Sequence, residues 1–334
     1  MGVIGSGSWA TALVKILTNN GQHVNWWVRN AQSIEHIQQR HNNPQYLSHA
    51  HLDTSRLRLS DDINAVIERS DFVVIAIPSA FLLDSLASVP SDGFRGKKIA
   101  SAIKGILPNN KHQLLNEYLE EKHHFSIDDY FTLMGPCHAE EIAAERLSYL
   151  TISGINAGET REFAERFRTW YLNPIVSNDV WGSQYAAVLK NVYAIGAGIA
   201  HGLEYGDNFQ SVFVANAAKE MSVFLSKLLA VKNPEYSHVD YTDSVYLGDL
   251  LVTCYSLFSR NRNFGTMIGK GYSVKVAKME MNMEAEGYLG SRGIQMENLD
   301  SVKADIPITG LIHNILWDDL PADEGFRIIE GLLK

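Results

Sequence analysis

The chain has 334 residues, too many for one small core, and at roughly 100 to 200 residues per domain the length predicts two domains. A hydrophobic content of 46% and a charged content of 20% are those of a folded globular protein and exclude a disordered one. A formal net charge of -9 excludes the basic footprint that a nucleic acid or an anionic membrane surface demands.

No membrane span is expected, because the most apolar long region, 212–231, is interrupted by Lys219, Glu220 and Lys227 and reads as a buried helix. No basic leader precedes the first apolar run, which breaks at once into Gly5-Ser6-Gly7-Ser8, so no secretory signal is expected. Cys137 and Cys254 are the only cysteines, which argues against a disulfide framework and for a reducing cytoplasm. Each reads as a small packed side chain in preference to a reactive thiol.

In chain order, residues 1–4 read as a strand, 8–20 as a helix and 23–28 as a second strand. Further strands are expected at 71–78, 97–102, 131–134 and 149–153, with Gly, Pro or Asn in most of the gaps. This alternation predicts an α/β domain over 1–179, a parallel sheet covered by helices. After about Asn178 the alternation stops. Residues 181–200 and 211–231 read as helices and 233–242 as a loop, with helices resuming near Val245, Val274 and Asp323, so 180–334 is expected to be all-α. No repeat or flexible linker separates the halves, which predicts that they pack directly, with the active site in the cleft between them.

Gly5-x-Gly7-x-x-Ala10 falls between the first strand and the first helix, where a dinucleotide fingerprint belongs. The first glycine permits a tight turn, the second lets backbone approach a pyrophosphate, and Ala10 lets the helix pack close. Backbone N–H groups near Ser8 and Trp9 would then hold the pyrophosphate with the helix dipole; a purely structural glycine turn is the competing reading. An acid about 20 residues on would hold a ribose 2′-hydroxyl, but the place reads Trp27-Val28-Arg29-Asn30. Arg29 tolerates or prefers a 2′-phosphate, which leans the expectation to NADP(H), and fits equally well as a solvated surface arginine.

Lys104, in Ser101-Ala102-Ile103-Lys104-Gly105-Ile106, follows a strand at the carboxyl edge of the sheet, where open α/β sheets bind ligands. Gly135-Pro136-Cys137-His138-Ala139-Glu140-Glu141 closes another strand and opens a helix, so its backbone donors can face an anion. His138 there reads as a capping or packing residue. Lys190 stands alone as a charge in the stretch 185–200, and a lysine on so apolar a helix is costly unless paired, functional or snorkelling to solvent. Partly desolvated beside a second cation, it has a lowered pKa suited to acid/base work on an alcohol and ketone pair. Asp249 is its expected counter-charge, and Asn191 can donate or accept beside it. Arg260, flanked by Ser259 and Asn261, offers a planar fork of donors to a phosphate. The histidines show no metal-ligand spacing, and no metal is expected.

These motifs together resemble the bacterial-type NAD(P)-dependent glycerol-3-phosphate dehydrogenases through nearly the whole chain. The resemblance rests on GSGSWATAL at Gly5, AIKGI at Ala102, GPCHAEEIA at Gly135, KNVYAIGAGIAHGLEYGDN at Lys190, LGDLLVTC at Leu247, SRNRNFG at Ser259 and AEGY at Ala285. It implies a doubly wound Rossmann-type domain followed by a helical domain like that of 6-phosphogluconate dehydrogenase. It also implies reversible reduction of dihydroxyacetone phosphate to sn-glycerol 3-phosphate with NAD(P)H, the precursor of the phospholipid backbone.

The resemblance makes Lys190, Lys104 and Asp249 the catalytic residues. It places Gly5, Ser6, Gly7, Ser8, Trp9, Arg29, Lys104, Ala139, Arg260 and Glu286 against the cofactor. Lys104, Gly135, Cys137, Lys190, Asn191, Asp249, Ser259, Arg260 and Asn261 are implied to hold the substrate. A homodimer is the default for such enzymes. The alternatives are another two-domain hydroxy-compound dehydrogenase of the ketopantoate reductase kind, or a non-catalytic NAD(P)-sensing protein.

Four departures from the family pattern stand out. Cys137 replaces a serine, which weakens any hydroxyl contact there. Tyr246 replaces a glycine before Leu-Gly-Asp, which is expected to tighten that turn. Glu284 replaces a small apolar residue beside the cofactor, where its charge would repel a 2′-phosphate. The first strand is short, which points to native residues upstream.

Overall fold

The computed structural model describes residues 1–233, 239–281 and 283–334. They divide into two compact units, Met1–Ile103 with Leu114–Val180, and Lys104–Gln113 with Trp181–Lys334.

The first unit carries strands β1 (Gly2–Ile4), β2 (Val24–Trp27), β3 (Leu57–Ser60), β4 (Phe72–Ile75), β5 (Lys98–Ser101), β6 (Tyr130–Met134), β7 (Ser148–Gly154) and β8 (Leu172–Ser177). Helices α1 (Ser8–Asn19), α2 (Ala31–Arg40), α3 (Ile63–Glu68), α4 (Ser79–Leu86), α5 (Leu115–His123), α6 (Ala139–Ala143) and α7 (Ala157–Glu165) alternate with them. The strands form one sheet in the order β3-β2-β1-β4-β5-β6-β7-β8. The first six follow the doubly wound order expected from the sequence, with the direction of winding reversing between β1 and β4, where Ile4 lies opposite Ile75. Ligands of such sheets sit outside the carboxyl ends of the strands at that reversal.

Burial explains which strands the sequence reveals. Val3, Ile4, Val73, Val74 and Ile75 are wholly buried, so β1 and β4 read as continuous apolar runs. The edge strands β3 and β8 are partly exposed and carry Arg58 and Pro174, which blur the pattern and guard the edges. β7 falls in the series expected to be parallel, yet pairs antiparallel with β6. The connection between them, 135–147, holds only the 5-residue helix α6 and is close to the roughly dozen residues that a parallel crossover needs at minimum, which favours the antiparallel return.

The second unit contains α8 (Val180–Gly202), α9 (Asp207–Lys232), α10 (Asp249–Tyr255), α11 (Arg260–Gly269), α12 (Val274–Glu280), α13 (Glu286–Glu297), α14 (Pro307–Trp317) and α15 (Ala322–Leu332). Every residue from 182 to 200 is buried, which is why α8 is apolar all round. The segment Lys104–Gln113 groups with these helices because Ile106 packs directly on Gly293 of α13 and the Lys104 carbonyl accepts from Asn191 Nδ2 at 2.8 Å. Glu220, a buried charge within α9, accepts the N–H groups of Ile308 and Thr309, each at 2.8 Å, and so caps α14.

The loop expected at 233–242 lies partly outside the described residues. Tyr246 does not tighten its turn: Ser244–Gly248 forms a wide π-helical turn, with the buried tyrosine ring set edge-on to Tyr241 at 5.5 Å. Among the described residues no helix is long and apolar enough to cross a membrane.

Candidate active site

In the first unit the glycine turn leaves β1 with Gly5 at φ 128°, a conformation that strains any L side chain. A Cβ on Gly5 would also collide with the carbonyl oxygen of Ala76, just past β4. Gly7 is the N-cap of α1 and offers no side chain to cap it. A Cβ on Gly7 would meet nothing within 4 Å, so there is open space beside the start of this 12-residue helix. That cradle fits a diphosphate, which helix N–H groups and the helix dipole both favour. Ser6, Ser8 and Trp9 lie in or beside the turn, and buried Ala10 lets α1 lie close to the sheet.

Arg29 is exposed past the end of β2, where the adjacent Asn30 caps α2. Gly135 follows β6 at the same carboxyl edge, and Ala139 opens α6. The Cys137 thiol is turned to the protein and donates to the Tyr149 carbonyl at 3.2 Å. His138 occupies the N-cap position of α6, but its ring makes no capping bond.

In the second unit Lys190, Asp249 and Lys104 meet. Asp249 opens α10 with its side chain 1% exposed; one carboxylate oxygen accepts from Lys190 Nζ, and the other lies 3.4 Å from Lys104 Nζ. Lys190 is itself buried and does not snorkel, whereas the Lys104 side chain is 17% exposed. Loss of solvent lowers the Lys190 pKa to about 7, Asp249 opposes that shift, and the Lys104 charge adds to it. A group poised near neutrality can both give and take a proton. Cys254, on the same helix as Asp249, stays a thiol because burial pushes it up to about 12.

A chain of amides fixes this cluster. Gly287 N–H donates to Asn261 Oδ1 at 2.9 Å, Asn261 Nδ2 to Asn191 Oδ1 at 2.9 Å, and Asn191 Nδ2 to the Lys104 carbonyl. The chain ties α13, α11 and α8 to the backbone of Lys104. Asn191 and Asn261, expected against substrate, thus each spend part of their hydrogen-bonding capacity on this scaffold. The Ser259 hydroxyl caps α11 by accepting from Arg262 N–H at 3.3 Å. Arg260 is the first residue of that helix, and its Nη1 donates to the Glu284 carbonyl at 3.2 Å. Glu286 opens α13.

Two glycines outside the expected site make this convergence possible. A Cβ on Gly198 of α8 would strike the Arg262 carbonyl oxygen, and one on Gly265 of α11 would strike that of Ile195. The two helix backbones therefore touch, which brings Asn191 within reach of Asn261. The paired Gly-x-x-x-Gly spacings, 198 with 202 and 265 with 269, carried this signal in the sequence.

Comparison with known proteins agrees with this arrangement. Residues 1–159 match the model for the N-terminus of NAD-dependent glycerol-3-phosphate dehydrogenase, and residues 179–327 match that for its C-terminus. A glycerol-3-phosphate dehydrogenase [NAD(P)+] of Staphylococcus carnosus is 30% identical over 337 residues, covering 98% of this chain and 97% of that protein. One from Chlorobium phaeobacteroides is 31% identical over 322 residues, covering 96% and 94%. The crystal structure of glycerol-3-phosphate dehydrogenase from Coxiella burnetii superposes with a TM-score of 0.87 at 25% identity, over 98% of this chain and 97% of that one. A glycine turn at the sheet reversal, a buried lysine pair on one carboxylate, and matches that run nearly end to end place this chain in the family of NAD-dependent glycerol-3-phosphate dehydrogenases.

Proposed function

We propose that this protein reversibly reduces dihydroxyacetone phosphate to sn-glycerol 3-phosphate with NAD(P)H, feeding glycerophospholipid synthesis. The observation that carries the reading is the buried Lys190–Asp249–Lys104 cluster, an acid/base group near neutrality beside a second cation. By the family resemblance Gly5, Ser6, Gly7, Ser8, Trp9, Arg29, Lys104, Ala139, Arg260 and Glu286 would hold the dinucleotide. When bound, the nicotinamide supplies the hydride to the carbonyl carbon.

In reduction, protonated Lys190 hands a proton to the carbonyl oxygen as negative charge grows on it. Lys104 stabilises that charge and Asp249 keeps both ammonium groups in place. In the reverse direction neutral Lys190 removes the proton of the alcohol. Arg260 and the N-terminus of α11, with Ser259 and Asn261, would hold the substrate phosphate. The resemblance adds Gly135, Cys137 and Asn191 as substrate-binding residues. The exposed cationic side chain of Arg29 supports a preference for NADPH. Action in the cytoplasm is supported by the two free, buried cysteines, and a homodimer by the default symmetry of such enzymes.

The test is steady-state turnover with dihydroxyacetone phosphate, unphosphorylated dihydroxyacetone and ketopantoate, each with NADH and with NADPH. Cofactor oxidation that depends on the phosphate is the expected result. Turnover of ketopantoate in preference, or of no ketone, overturns the proposal.

A further inference from the structure

Asn43 belongs to none of the sequence motifs of the site, yet it is 3% exposed and makes four hydrogen bonds. Its Oδ1 accepts the N–H groups of Gln45 at 3.0 Å and Tyr46 at 3.2 Å, closing the turn that follows Pro44. Its Nδ2 donates to the Ser6 carbonyl at 3.0 Å and to Thr11 Oγ1 at 2.8 Å. Two backbone donors on one side and a carbonyl on the other fix which amide atom is which.

The Ser6 carbonyl is one of three consecutive carbonyls in the glycine turn that are held from the protein side. Gly5 O accepts from the buried Trp26 Nε1 at 2.6 Å, Ser6 O from Asn43, and Gly7 O from Thr11 Oγ1 at 2.9 Å. In a planar trans peptide the C=O and N–H of one unit point in opposite directions. Anchoring these carbonyls therefore turns the N–H groups of Ser6, Gly7 and Ser8 away from Trp26, Asn43 and Thr11. Asn43 reaches two of the three peptide planes, one directly and one through Thr11.

We propose that Asn43 is a positioning residue for the dinucleotide: by holding the Ser6 carbonyl and the Thr11 hydroxyl it aims the N–H groups of Gly7 and Ser8 at the diphosphate. The inference rests on the reading of the glycine turn as the dinucleotide site. Asn43 touches no phosphate in this scheme. Its action is to prepay the ordering of a short loop that a ligand would otherwise have to order for itself.

Two variants separate this role from that of the 44–46 turn. Asn43→Asp keeps the acceptor for Gln45 and Tyr46 and loses both donors. Asn43→Ala loses both functions but adds no negative charge. NADPH affinity is measured by fluorescence titration in the absence of substrate, alongside thermal melting and the separate KM and kcat values for cofactor.

Both variants are expected to weaken NADPH binding about five- to tenfold, the effect of one to two lost hydrogen bonds. Both variants also lower the melting temperature, Asn43→Asp because a buried carboxylate then faces the Ser6 carbonyl, and in both the kinetic loss falls on KM in preference to kcat. Unchanged affinity in Asn43→Ala overturns the inference, because any loss in Asn43→Asp is then charge repulsion alone. A fall in stability and kcat with cofactor affinity intact overturns it also, leaving Asn43 a structural residue. Failure of the unaltered protein to bind either nicotinamide dinucleotide instead overturns the reading of the turn itself.

Discussion

Substitution of Asp249 by asparagine removes the charge between the two lysines while keeping the shape of the side chain. Asp249 is almost wholly buried and bonded to Lys190 Nζ, so its charge acts on that ammonium with little solvent screening. Unit charges about 4 Å apart at an effective permittivity near 20 interact by about 4 kcal/mol, and each 1.4 kcal/mol or so is a tenfold change in proton affinity. The protonated fraction of Lys190 should therefore fall at least a hundredfold relative to the neutral form.

Before the change, loss of solvent and the Lys104 charge already bring the Lys190 pKa down to about 7, so its proton is labile close to neutral pH. Reduction consumes the proton, so kcat/KM for dihydroxyacetone phosphate should be high on the acid side and fall as pH rises through about 7. Oxidation of the alcohol should show the mirror image. In Asp249→Asn the reductive inflection should move to lower pH, and kcat/KM at neutral pH should drop roughly fifty- to a hundredfold. The assay is the pH dependence of kcat/KM at saturating NADPH, with circular dichroism to confirm folding. An inflection that stays in place or moves to higher pH, with the neutral rate kept, refutes the reasoning, since the carboxylate would then not govern the proton on Lys190.

Two further substitutions test other parts of the site. Arg260→Ala should raise KM for dihydroxyacetone phosphate about ten- to a hundredfold, the loss of one charge-assisted phosphate contact; a change under about twofold would remove Arg260 from phosphate recognition. Gly265→Ala would press a methyl group on the Ile195 carbonyl and force α8 and α11 apart, costing about 1–3 kcal/mol and lowering both melting temperature and turnover; a melt matching that of the unaltered protein would mean the helices need not touch.

The fold was legible where burial is simple. β1 and β4 are wholly apolar, and α8 and α9 carry long apolar runs, so their existence and type follow from pattern alone. β3, β8 and the antiparallel turn into β7 were not legible, since edge strands are partly solvated and strand direction is set by what the connection can span. Within the candidate site Lys190 stood out because a lone charge on an apolar helix is costly. Asn43 did not, because an asparagine before a proline reads as any loop residue.

Residue chemistry along the chain thus determined the glycine turn, the isolated lysine, the arginine flanked by Ser259 and Asn261, and with them the family. Tertiary structure decided how these groups act together. Asp249 lies 59 residues from Lys190 and 145 from Lys104, yet one carboxylate serves both. That meeting depends on two helix backbones touching at Gly198 and Gly265 and on a row of amides from Gly287 to Lys104. Proton affinity near neutrality belongs to no lysine in an extended chain; it arises only when folding strips water from Lys190 and sets a carboxylate and a second cation beside it.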